Sequence, residues 1–142
     1  MNKHAVFSFF SGAGFLDIGF ENAGFDIVFV NEINPEFMSA YKFSRECLGK
    51  EAPQFGYSQE SIDVFLTTQK RTLSSHMKLA KSKYLSVGFI GGPPCPDFSV
   101  GGKNKGHEGD NGRLSNSYID VIIIVMLKMD GISTQRVLAT VS

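Results

Sequence analysis

The sequence predicts an α/β protein built on a parallel sheet. Three observations carry that expectation. Compact apolar runs of strand length lie at 5–10, 25–30 and 85–90, segments with helical spacing follow the first two, and glycine turns close the first and third. Strands that alternate with helices pair in parallel, because each connection must cross back over the sheet before the next strand begins.

Taken in order, Ala5 to Phe10 reads as a buried strand running into the turn Ser11-Gly12-Ala13-Gly14. Leu16, Gly19, Phe20 and Ala23 recur at helical spacing after it, and Gly24 is placed as a left-handed C-terminal cap. Phe25 to Val30 is a second buried strand. Asn34 caps a second helix, with Pro35 at its first position, Glu36 beside the positive end of the dipole, and Phe37, Ala40, Tyr41 and Leu48 along one face. From Glu51 to Tyr84 apolar residues are sparse, which predicts a loop and then a helix around Ile62 to Leu73. Leu85 to Ile90 is the third strand, stopped by Gly91-Gly92-Pro93-Pro94. Val100 to Gly112 holds five glycines and no aliphatic residue after Val100, the composition of a mobile surface loop. Ile119, Ile122, Ile123, Met126 and Leu127 then form a helical stripe, and Val121, Ile124 and Val125 make that helix apolar nearly all round, so deep burial is expected.

With 142 residues, 42% hydrophobic and 20% charged, the chain has the composition of one globular domain, undivided by repeats or linkers. Its net charge of zero supplies no global positive field, so any contact with nucleic acid has to come from a local patch. Cys47 and Cys95 lack the paired spacing of a zinc site or a disulfide framework, so no metal is expected and a reducing cytoplasm suits the chain. The N-terminus lacks a signal-peptide pattern. The longest apolar stretch, Val121 to Leu127, is far below the roughly 18 residues of a membrane span.

Chemistry concentrates in two places. The turn Gly12-Ala13-Gly14 between strand and helix lets backbone amides approach an anionic group, although packing glycines would read the same way. Its distance to Gly19 does not match the dinucleotide fingerprint. Glu32 follows the second strand about 20 residues later, where a carboxylate can accept both hydroxyls of a ribose, the alternatives being a solvated loop acid or a residue helping to start the Asn34 helix. Together they favour a nucleoside with an amino-acid or phosphate end. The second place is Gly91 to Ser99, where Pro93, Pro94 and Pro96 fix the backbone around the Cys95 thiol. Taken alone, Cys95 suits a packing role or a nucleophile held at a fixed angle equally well. A cysteine hydrolase is disfavoured because none of His4, His76 and His107 sits in a partner motif.

These segments resemble the DNA cytosine-5 methyltransferase family. Phe10-Ser11-Gly12-Ala13-Gly14-Phe15 is similar to its methyl-donor turn, Asn31-Glu32-Ile33-Asn34 to its ribose-binding segment, and Gly91 to Ser99 to its catalytic Pro-Cys motif. Gly109 to Leu114 with the apolar helix resembles the segment that closes over the donor, and the match runs from about Ala5 to Met129. The resemblance implies an incomplete Rossmann-like parallel sheet of the S-adenosylmethionine-dependent methyltransferase type, acting on double-stranded DNA. It implies that Phe10 stacks on the adenine and Ile33 packs on it, that the amides of Gly12, Ala13 and Gly14 hold the methionine carboxylate, and that Glu32 binds the ribose. Pro94 would shape the junction of donor and cytosine pockets, and Leu114 would line the donor site. Cys95 would attack carbon 6 of a flipped-out cytosine. Ser99, Lys103 and Lys105 resemble a loop that closes over DNA, although two lysines in a glycine loop also simply keep it solvated.

The likeness has departures. Pro96 stands where many relatives have glutamine, and the acid contacting the adenine amine falls at Ser61-Ile62 or at Asp63-Val64. After Met129 the family has a strand ending in Glu-Asn-Val. Here Val137 to Val141 is either that strand, with Ala139 and Thr140 in place of Glu and Asn, or an unrelated tail. Residues 1–130 are thus expected to be the N-terminal part of the catalytic domain and 131–142 an atypical tail. The target recognition domain is expected to be absent, so the chain would be a truncated or split form needing a second polypeptide, or else an inactive remnant or donor-binding module. Cys47 is expected to pack on the second helix.

Overall fold

The computed structural model describes residues 3–94, 110–127 and 139–141. Within them the chain forms β1 (His4–Phe9), α1 (Phe15–Asn22), β2 (Phe25–Asn31), α2 (Pro35–Cys47), β3 (Tyr57–Ser58), a 3-10 turn (Ile62–Phe65), α3 (Lys70–Lys83), β4 (Ser86–Gly91), α4 (Asp110–Leu127) and β5 (Ala139–Val141). The strands make one sheet in the order β3-β2-β1-β4-β5, and each adjacent pair is parallel. This is the α/β architecture that the alternation of runs predicts. Among the described residues no helix is long and apolar enough to cross a membrane.

The sheet separates two cores because side chains of a strand alternate between its faces. Ala5, Phe7 and Phe9 of β1 face the 3-10 turn, α3 and α4 in the larger core, while Val6 joins Ile27, Val30, Met38, Tyr41 and Ile90 in the smaller one. In the larger core Phe9 lies within 6.1 Å, centroid to centroid, of Phe29, Phe65, Phe89 and Tyr118. Fully burying such a ring contributes about 1.5–3 kcal/mol, so these aromatics dominate the packing. The register slips between Val6 and Phe7, leaving Val28 of β2 unopposed, a bulge that turns both Val28 and Phe29 into the larger core.

Local signals place the helix ends as expected. Asn34 Oδ1 accepts the amides of Glu36 at 2.9 Å and Phe37 at 3.2 Å, with Pro35 opening α2, and Gly24 takes a φ of 91° after α1. The faces those helices bury are different from the expected ones. α1 buries Asp17, while Leu16, Gly19, Phe20 and Ala23 line an open apolar groove; α2 buries Met38, Tyr41 and Arg45, leaving Phe37, Ala40 and Leu48 exposed. Polar pairing decides this. Tyr41 donates to Asp17 at 2.6 Å and Arg45 pairs with Glu21 at 3.1 Å, so the two helices meet through those residues. Cys47, expected to be packed, is exposed at the end of α2.

The expected helix around Ile62 to Leu73 is in fact two elements. Ser61 accepts the Asp63 amide and starts a single 3-10 turn, and α3 begins at Lys70 and buries Leu73, Met77 and Ala80. α4 starts at Asp110, so 110–112 are helical rather than part of a loop, while 100–109 lie outside the described residues. Its buried stripe is Tyr118, Val121, Ile122 and Val125. Ile119 and Ile123, expected inside, are 46% and 44% exposed, because the Tyr118 ring occupies the space over β1 and sets the rotation of the helix. Ala139–Val141 forms a strand that pairs in parallel with Phe89–Gly91.

Candidate functional site

Parallel strands bring all their carboxyl ends to one edge. The chain leaves β1 toward β2 on one side and later enters β4 on the other, so the crevice above β1 and β4 is crossed by no direct connection. Open α/β sheets bind ligands at such a point. Phe10 to Gly14 follow β1 at this edge, Glu32 and Ile33 follow β2, Gln59 to Ser61 follow β3, and Gly92 to Pro94 follow β4.

The turn after β1 is tightly curled. Phe10, Gly12 and Gly14 have φ of 50°, 55° and 92°, and for Phe10 that left-handed geometry costs about 1–2 kcal/mol. It is held by the Ser11 amide, which donates to Asn31 O at 3.3 Å, and by edge-on packing of the Phe10 ring against Tyr118 at 5.8 Å. Gly14 serves as the N-terminal cap residue of α1 without a side-chain cap, so the first-turn amides of that helix face outward without intrahelical partners.

Glu32 is 8% exposed and locks this turn to β2. Its Oε2 accepts the Gly12 amide at 2.8 Å and its Oε1 accepts the Asn34 amide at 2.9 Å. Each oxygen keeps lone-pair capacity for a further donor. The Gly12 amide is therefore committed to Glu32, and the Gly14 amide donates to Ser11 O at 3.0 Å. Of the three turn amides assigned to a carboxylate from sequence, only that of Ala13 has no acceptor among the described residues.

Apolar residues stand beside this carboxylate. Phe10 is half-buried, Ile33 is 58% exposed, and Leu114, on the second turn of α4, packs on the same core as Phe10. Pro94 is exposed at the end of the described segment after β4, next to a buried Pro93. Cys95, Ser99, Lys103 and Lys105 lie outside the described residues.

Several residues that build the site make bonds to partners that the sequence does not signal. Asn31, 2% exposed, donates through Nδ2 to Ser58 O at 3.2 Å and Glu60 O at 2.9 Å, pinning the loop after β3 to the end of β2. Asp63 accepts Ser117 Oγ at 2.8 Å and Arg113 Nη1 at 2.9 Å, so its carboxylate is turned to α4. These bonds, from Arg113 first and then Ser117, hold the Asp63 carboxyl below the usual carboxylate range. Tyr118 is fully buried, its hydroxyl has no hydrogen-bond partner among the described residues, and burial pushes its pKa up. A cleft of about 560 Å³ opens near the amino ends of β1 and β2, where Lys3 pairs with Asp26 at 3.2 Å and Glu21 with both Arg45 and Lys50.

A curled glycine turn, a buried acid after the neighbouring strand and an open switch point mark the edge at which an open α/β sheet binds its ligands. The family of C-5 cytosine-specific DNA methylases matches residues 4–125, and the chain belongs to that family. It is 56% identical over 121 residues to the type II methyltransferase M.NmeDI of Neisseria meningitidis serogroup C, covering 84% of this chain and 29% of that protein. It is 36% identical over 107 residues to the DNA (cytosine-5-)-methyltransferase M.ApeKI of Aeropyrum pernix, covering 70% of this chain and 21% of the relative. Similarity to the type II methyltransferase M.AquIA of a Picosynechococcus strain reaches 32% over 123 residues, covering 86% of this chain and 44% of that one. The chain thus spans less than half the length of these relatives. A crystal structure described as a DNA modification methyltransferase from an E. coli prophage shares the fold, with a TM-score of 0.59 at 22% identity, covering 86% of this chain and 29% of that one.

Proposed function

We propose that this chain forms the donor-binding and nucleophile-bearing part of an enzyme that methylates carbon 5 of cytosine in double-stranded DNA, with S-adenosylmethionine as methyl donor. The observation that carries the reading is the Glu32 carboxylate, joined to the Gly12 amide at 2.8 Å across the ends of β1 and β2 in a member of this family. The residues present fit the donor. Glu32 retains acceptor capacity for ribose hydroxyls, Phe10 and Ile33 offer apolar surface for an adenine, and the Ala13 amide with the first turn of α1 suits a carboxylate. Leu114 would close the pocket from α4, and Pro94 would separate it from the cytosine site.

When bound, the donor supplies an electrophilic methyl group on a sulfonium. Cys95, as thiolate, would add to carbon 6 of a flipped-out cytosine, placing electron density on carbon 5 for methyl transfer; loss of the carbon 5 proton then expels the thiolate and restores the ring. Ser99, Lys103 and Lys105 would contact DNA phosphates from the intervening loop. The motifs that the relatives carry beyond the matched part complete this reading, whether they continue the same polypeptide or come from a second one. The site of action is placed in the cytoplasm.

One observation favours a second reading. β5 lies parallel to the end of β4 and carries Ala139-Thr140-Val141, where the family pattern has Glu-Asn-Val. Without that carboxylate nothing on β5 supports protonation of the cytosine ring nitrogen, and the chain would be a donor-binding module without turnover. Transfer of label from methyl-labelled donor to DNA, with and without a polypeptide supplying the rest of the family sequence, separates the two. Transfer that needs Cys95 supports the enzyme. Donor binding without transfer under any pairing supports the module, and absence of donor binding refutes both.

A further inference from the structure

A buried carboxylate sits directly behind the glycine turn. Asp17, the third residue of α1, is 1% exposed and accepts Ser8 Oγ of β1 at 2.8 Å on Oδ1 and Tyr41 OH of α2 at 2.6 Å on Oδ2. Burial pushes its pKa up, and the hydroxyls of Tyr41 and Ser8 oppose that. Two hydroxyl donors and a place in the first turn of a helix suit an ionised acceptor. The Tyr41 ring so oriented lies against the turn itself, where a Cβ on Gly14 would meet its Cδ2 and Cε2 at 2.7 Å.

We propose that Asp17 and Tyr41 are positioning residues for the donor turn. The carboxylate holds the Tyr41 ring as a floor under Gly14, and the curl of Gly12 to Gly14 keeps its shape whether or not a ligand is present. An apolar pair of similar volume would fill the space without the cost of desolvating a charge, so orientation is what the charge contributes. The inference rests on the donor reading above and adds two residues to it that touch neither donor nor DNA in that reading.

The test uses the full chain and two measurements. Tyr41→Phe keeps the ring and removes the hydroxyl; Ile122→Val, in the other core, is the control for general destabilisation. Amide hydrogen exchange is followed at Gly12 and Gly14, whose amides donate to Glu32 and Ser11. Exchange there is expected to be about tenfold faster in Tyr41→Phe than in Ile122→Val at matched melting temperature, the equivalent of one charge-assisted hydrogen bond. Calorimetric titration with S-adenosylmethionine is expected to show a similar weakening, with Asp17→Asn changed in the same direction and Ile122→Val unchanged. Equal exchange in the two variants overturns the inference. A wild-type chain that binds no donor refutes the donor reading instead, and the exchange comparison still decides whether Asp17 and Tyr41 position the turn.

Discussion

Adding one methyl group at Gly91 and the same group at Gly19 should move stability in opposite directions. At Gly91, the last residue of β4, a Cβ would lie 2.7 Å from the Phe9 carbonyl oxygen and 3.0 Å from the Tyr118 ring and hydroxyl. A relaxed carbon–oxygen contact is about 3.3 Å or more, so the overlap is roughly half an ångström. Phe9 belongs to the central strand and is paired to β2 and β4 on both sides, and Tyr118 is fully buried, so neither can withdraw cheaply. Overpacking of this kind costs about 1–3 kcal/mol, with the upper end expected for a backbone partner. Relief of glycine's entropic penalty returns about 0.5–1 kcal/mol, for a net loss of about 2 kcal/mol. At Gly19, exposed in α1, nothing lies within 4 Å of the added Cβ, and Gly19→Ala should gain about 0.5–1 kcal/mol. For a domain of this size that corresponds to a Tm about 8 °C lower for Gly91→Ala and a few degrees higher for Gly19→Ala. Urea denaturation and thermal melting followed by circular dichroism measure both. A Gly91→Ala protein at least as stable as wild type would show that the β1–β4–α4 junction is not packed as described.

Three further outcomes are expected. Glu32→Gln replaces an acceptor oxygen by an NH2 group, leaving the Gly12 or Asn34 amide without its partner; stability should fall by about 1–3 kcal/mol and donor affinity with it, and titration showing undiminished donor binding would refute the ribose assignment. Cys95→Ser should abolish methyl transfer to DNA in the presence of a complementing polypeptide while leaving donor binding intact; surviving transfer would overturn the covalent route. Asp63 is held below its ordinary pKa of 3.8, so its contribution is present at neutral pH and is lost as the pH falls through the lowered value. Asp63→Asn should therefore melt slightly below wild type at pH 7 and converge with it as the pH falls through that lowered value, whereas a gap that widens toward acid would contradict the Asp63–Arg113–Ser117 contact.

Features legible in the sequence were local. Three apolar runs, the Asn34-Pro35 cap and Gly24 signal their geometry within a few residues, and all three reappear in β1, β2, β4, α2 and the end of α1. Glu32 could be singled out because its distance from the glycine turn follows from one strand-helix-strand unit, and the structure places both at one sheet edge. Asp17 and Tyr118 passed unnoticed, and Asn31 and Asp63 were singled out only through the family resemblance, without the bonds they make. Their partners are remote in sequence: Ser8 and Tyr41 for Asp17, Ser58 and Glu60 for Asn31, Arg113 and Ser117 for Asp63, and Phe9 and Phe10 for Tyr118. The short β3 and β5 escape periodicity for the same reason, since two or three residues contain no period and are strands only by virtue of their neighbours.

By itself the sequence determined that strands and helices alternate, that the chain belongs among the cytosine-5 methylases, and which turn and which acid stand together. These depend on backbone preferences and on motifs read within a short window. Only the tertiary structure decided which face each helix buries and that the Gly12 amide is spent on Glu32. Hydrophobic burial does not distinguish two faces of comparable apolarity; the choice falls to paired polar groups such as Asp17 with Tyr41 and Glu21 with Arg45, whose partners meet only once the sheet has formed.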